Sequence, residues 1–213
     1  MRYTIVLLVG IMLATACAKI YQAPNFERAT RSHKTVAILP FEVNINAKNL
    51  PKNVTQEMIK ADEEQTALNA QNQVYSFFLR QLSRGNYTVE FQDIDKTNAL
   101  LKKANLPDAA SLTTKSKDEI AQTLGVDAVI TGKLVMEKPM KDGAAIAIGV
   151  LFGIWGNTNQ VFTTLTIHDG KEGKLLWKYD WTASGSVGTS TETLIRQLMR
   201  NVSKKFPYQV DKS

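Results

Sequence analysis

The chain has 213 residues, a single cysteine and a formal net charge of +6, with 44% hydrophobic and 22% charged residues. One cysteine excludes an internal disulfide and a multi-cysteine metal site, while the hydrophobic share suffices for an ordinary globular core. The Lys and Arg residues are scattered rather than clustered with aromatics, which argues against nucleic acid as a partner and for anionic lipid or polymer surfaces.

Residues 1–17 read MRYTIVLLVGIMLATAC. Arg2 supplies a short positive start, 5–13 is an unbroken apolar run, and Ala14, Thr15 and Ala16 are small residues leading into Cys17. This is the layout of a cleaved secretory signal, and the apolar run is shorter than the roughly 20 residues a permanent membrane helix needs. Its end resembles the lipobox of bacterial lipoproteins, in which the cysteine is acylated and becomes the new N-terminus. Ala14 stands where lipoproteins favour Leu, and Leu13 lies one position earlier. The reading is therefore a signal peptide over 1–16 and a lipidated Cys17, the alternative being an ordinary signal peptide that leaves a free thiol.

Residues 17–34 are polar and without periodicity, which predicts a lipidated tether. A single domain is then expected over 35–207, followed by a tail at 208–213. Within it, 35–41 (TVAILPF) reads as a buried strand, and 44–53, with its Asn, Lys and Pro51, as a loop. The stretch 55–84 lacks Gly and Pro and places Val74, Phe77, Phe78 and Leu82 at helical spacing. A strand is expected at 87–91 and a helix at 94–104. Ser116 and Glu119 form a capping box for a helix that stops at Gly125. Strands follow at 126–137, 160–168 and 174–183, the last two around Asp169-Gly170. A final helix spans 191–206, with Leu194, Ile195, Leu198, Met199 and Val202 on one face. The order implies an α/β fold: a mixed sheet with helices packed on it.

Catalytic chemistry is hard to assemble from these residues. His33 and His168 lack a second ligand at metal spacing. There is no Gly-x-Ser-x-Gly elbow and no phosphate-binding Gly-Lys-Ser/Thr loop. Asp62, Glu63 and Glu64 read as a solvated helix face, and because adjacent helical residues point apart they do not qualify as an acid–base pair. No enzymatic activity, cofactor, metal or small-molecule substrate is expected.

Residues 143–167 carry no basic or acidic side chain before His168. Their first half alternates, with Ile146, Ile148, Val150, Phe152 and Ile154 on one side and Trp155 among those on the other. Three readings stand side by side: a membrane-inserting β-hairpin closed at 157–159, a segment packed on the domain or on a second copy, and an amphipathic stretch on a lipid surface. Each makes Ile146, Ile148, Val150, Phe152, Ile154 and Trp155 candidates for membrane or partner contact.

The order of lipobox, tether, KTVAILPF, GVDAVITG at 125–132, then VFTTLTIHDGKEGKLLWKYDW and a closing helix resembles a superfamily of bacterial envelope lipoproteins. That superfamily includes the curli secretion channel subunit, lipoprotein activators of peptidoglycan synthases and a related branch without settled function. Its members share a domain similar to the amino-terminal domain of TolB, an anticodon-binding-domain-like sandwich. The resemblance covers about 34–207. It implies a non-catalytic assembly or accessory factor on the periplasmic face of the outer membrane, with envelope proteins, the membrane or a homo-oligomer as partners. An oligomeric secretion or transport subunit is the alternative it implies. The curli subunit has two membrane hairpins where this chain offers one, which favours the accessory role.

Overall fold

The computed structural model describes residues 18–47, 54–138, 160–184 and 191–210. Its centre is the apolar run Thr35–Ile38 (β2), in which Val36, Ala37 and Ile38 are all fully buried. A strand alternates polar and apolar side chains only when one face is wet; this one is covered on both. Val36 and Ile38 face the larger core, and Ala37 and Leu39 face a smaller one formed with Leu101, Ile120 and Leu124.

Ala128–Lys138 (β5) is the axis of the sheet. One edge of β5 pairs antiparallel with Gln160–Asp169 (β6), which pairs antiparallel with Leu175–Ser184 (β7). Along its other edge run β2 and then Glu42–Ala47 (β3), both parallel to it. The turn between them, Leu39-Pro40-Phe41, falls where Gly132 leaves room on β5 for the Phe41 ring. The short Glu90–Phe91 (β4) lies outside β2, and Lys19–Gln22 (β1) closes the opposite edge against β7.

Gln56–Leu82 (α2) and Thr191–Val202 (α5) cover the larger core, with Phe78, Phe91, Phe206 and Tyr87 in ring contact beneath them. Phe26–Thr30 (α1) tucks Phe26 against Tyr208. Ile94–Lys103 (α3) and Lys117–Leu124 (α4) close the smaller core. The Ser116–Glu119 capping box forms reciprocally, and Gly125 ends α4 in the left-handed conformation at φ +67°. Trp177 lies beneath the C-terminal segment, its ring 6.0 Å from that of Phe206. The fold is α/β, a mixed sheet with helices packed on it, as the sequence implies.

Four expectations are corrected. The tether is structured from Lys19: β1 is a sheet strand, and Ala23, Phe26 and His33 are buried. The Asn-rich loop begins as β3, whose Val43 and Ile45 reach the core. The tail at 208 is not free, because Tyr208 is buried and Gln209 bridges to Tyr87. Finally, 160–167, which one of the three readings placed in a membrane hairpin with the preceding apolar stretch, pairs with β5 on one side and β7 on the other. Both edges of that strand are thereby occupied, and residues 139–159 lie outside the described residues.

Candidate functional site

Cys17 and the apolar positions Ile146, Ile148, Val150, Phe152, Ile154 and Trp155 lie outside the described residues. Three other places bring polar chemistry together.

The first is a buried clasp. His33 Nε2 lies 3.1 Å from Asp169 Oδ1, and His33 Nδ1 lies 2.7 Å from the Tyr208 hydroxyl. A carboxylate only accepts, so Nε2 carries the proton toward Asp169, and in the neutral ring Nδ1 accepts from the phenol. Burial, reinforced by the charges of Asp169 and Asp127, pushes the Tyr208 hydroxyl far above its ordinary pKa and keeps it protonated. The other oxygen of Asp169 accepts from the Lys171 and Glu172 backbone N–H groups. With His33 8% and Tyr208 3% exposed, nothing can reach this trio to react. It joins the N-terminal segment, the β6–β7 turn and the C-terminus, and its role is structural.

Asp127 extends the clasp. Its Oδ2 accepts from the backbone N–H of Lys34 at 2.8 Å and of Thr35 at 2.9 Å, while its own N–H donates to Thr35 O. This fixes the register that sets Val36 opposite Ala128. Burial raises its pKa, but the two backbone donors and the nearby positive charges outweigh it, leaving the carboxyl below its usual range. A depressed folded pKa contributes stability above the unfolded value near 4, and that contribution is lost as pH falls through the folded value. Asp127→Asn is therefore expected to destabilise the protein by about 1 kcal/mol at neutral pH, less than a fully buried charged hydrogen bond because the group is partly solvated. Urea midpoints of the two proteins should converge as pH is lowered below the ordinary carboxylate range and through the depressed folded value.

The second place is the open face of the sheet. Thr131 and Thr166 hydroxyls meet at 2.6 Å, Thr164 donates to Asp180 at 2.7 Å, and Lys178 pairs with Asp180 at 2.9 Å. Lys133 pairs with Glu42 at 2.6 Å. The charges there are satisfied within the face, around an exposed Phe162 that stands opposite Val135 and Thr182.

The third place is the outer edge of β3. Its Ile45 N–H points away from β5 and donates to Glu63 Oε1 of α2 at 2.7 Å, so strand alternation puts the Val43 and Ala47 N–H groups on the same open side. Beside this edge, between α2 and the 107–113 loop, lies a groove of about 560 Å³. Pro40, Val43, Ala67 and Pro107 line it, and Leu68, 45% exposed, stands in it. Its charged lining is Glu42, Glu63, Glu64 and Asp108 against Lys60. Burial works to raise Glu42, but hydrogen bonds from Lys133 and Asn44 and the Lys133 charge prevail and lower it; the Ser111 backbone donor lowers Asp108. Both stay ionised at neutral pH. The sequence reading placed β3 in a loop and Glu63 on a solvated face. The only local signal for β3 is the alternation of Val43 and Ile45 between asparagines.

Among the described residues no group of three His, Cys, Asp or Glu side chains is arranged to hold a metal, and no helix is long and apolar enough to cross a membrane. No family model matches the chain, and no curated protein matches it. Among solved structures the chain is similar to lipoprotein GNA1162 from Neisseria meningitidis (13% identity, 80% of this chain and 94% of that one, TM-score 0.47). It is also similar to the PelC dodecamer from Paraburkholderia phytofirmans (13% identity, 92% and 99%, TM-score 0.40). A third likeness is to the LpoB C-terminal domain from Escherichia coli (12% identity, 76% and 94%, TM-score 0.38).

Proposed function

We propose that this chain is a lipid-anchored, non-catalytic envelope protein that works as an assembly or accessory factor by binding a protein partner. The anchor is Cys17 behind the 1–16 signal, and the location is the periplasmic face of the outer membrane: Ala18 stands where an Asp retains lipoproteins at the inner membrane in enteric bacteria. The observation that carries partner binding is the apolar groove with an acidic rim beside β3, in which the exposed Leu68 stands. An extended, basic segment of a partner fits it: its apolar side chains enter the groove at Leu68, and its cations meet Glu64 and Asp108.

The test places a photo-cross-linking residue at Leu68, and as a control at Lys102, in the full chain in its own membrane. Native mass spectrometry of the extracted protein accompanies it. One defined envelope-protein adduct from position 68, absent from 102 and lost in Glu64→Lys, supports the reading. A monomer with no adduct from position 68 rejects it. A ring of many subunits would reject it in favour of the secretion or transport subunit.

A further inference from the structure

The acylated residue of a lipoprotein usually leads into a flexible stretch that lets the folded domain stand away from the bilayer. Here the first strand of the sheet begins at Lys19, so Cys17 lies two residues from β1 and at most about 7 Å of backbone separates them. We infer that the sheet edge formed by β1, together with α1, rests directly on the headgroups of an anionic phospholipid leaflet. The inference depends on the lipid-anchor reading of Cys17 and adds the orientation of the domain to it.

Three features of the edge fit that occupant. All four residues of β1 are exposed, including Ile20 at 46% and Tyr21 at 47%. An exposed aliphatic beside an exposed Tyr is suited to the boundary between headgroups and acyl chains. Residues 18–34 carry Lys19, Arg28, Arg31 and Lys34 against the single carboxylate of Glu27, so their balance is positive where a negative surface lies nearest. Among the described residues no further strand covers the outer edge of β1, and lipid phosphate oxygens accept hydrogen bonds from backbone N–H groups of such an edge. The strand is held down at its far end by the buried Ala23, Phe26 and His33, so the edge stays in place when the anchor pulls.

The test uses the acylated full chain. Because the native chain has one cysteine, which the acyl chain consumes, an introduced cysteine can be labelled alone. Asn25→Cys sits beside β1 at an exposed position whose side chain makes no capping hydrogen bond. Lys102→Cys sits on α3, packed near β2 and so at the other side of the sheet. Each carries an environment-sensitive fluorophore in vesicles containing phosphatidylglycerol and a headgroup-nitroxide lipid. The label at 25 is expected to lose most of its emission while that at 102 keeps most of its own. Equal quenching of the two labels in acylated protein overturns the inference and leaves the anchor intact, since the domain then hangs from an unravelled segment. A mass showing unacylated Cys17 overturns the anchor reading, and the orientation with it.

Discussion

Phe78→Ala is expected to lower stability by about 3–5 kcal/mol, the range for emptying a large aromatic site in a core that cannot collapse. Phe78 is fully buried. Its ring stacks on Phe91 at 4.8 Å with an interplanar angle of 3°, lies 4.5 Å from Phe206, and meets Tyr87 edge-on at 5.7 Å. Those partners come from β4, the segment just before it and the segment after α5, and they also touch one another, so the Phe78 ring packs α2 into the middle of one aromatic cluster. Against a total of roughly 5–15 kcal/mol for a domain, this loss leaves little or nothing. The neighbouring Leu79 points outward at 37% exposure, and Leu79→Ala should change stability by less than about 0.5–1 kcal/mol. Urea unfolding of the two variants tests the contrast; equal losses would mean that the ring cluster does not hold these pieces together.

Gly132→Ala is the second large effect. A methyl group at this position would fall within the van der Waals radius of the Phe41 ring, which is itself fully buried. The ring is fixed by the Leu39-Pro40-Phe41 turn that lets β2 and β3 share one edge of β5, so relief requires moving that turn. Overpacking of this kind costs about 1–3 kcal/mol. The double variant Gly132→Ala with Phe41→Leu should recover part of the loss, because the smaller side chain vacates the space. Strictly additive losses would assign the glycine a different role.

Elements buried by their own side chains were legible in the sequence. The run 35–41, the alternating strands 160–168 and 174–183, the stripe of α5 and the Ser116–Glu119 box each carry a local pattern, and each forms. The misreadings share a different cause. β1 joins the sheet through backbone hydrogen bonds, and its side chains all stay exposed, so nothing in KIYQ distinguishes it from a tether. β3 shows the sequence only Val43 and Ile45 between asparagines, because its other face is open. The clasp links His33 to Asp169 and Tyr208 across separations of 136 and 175 residues, which no spacing rule can see. The groove depends on the same kind of distance: Glu63 reads as one of three carboxylates on a helix surface until the fold brings Ile45 to it.

The pairing of β1 with β7 sets a temporal order. Lys19 lies opposite Asp180, so β1 has no partner until nearly all of the rest has been delivered. Contacts so remote in sequence close late, since the loop entropy between them must be overcome first. A chain threaded through a translocation channel from its N-terminus would therefore complete β2, β5 and β6 before its leading strand could be seated. On the proposed acylation of Cys17, the modifying enzymes would meet an extended substrate, and seating β1 would then draw the finished domain down onto the bilayer as the last step of its maturation.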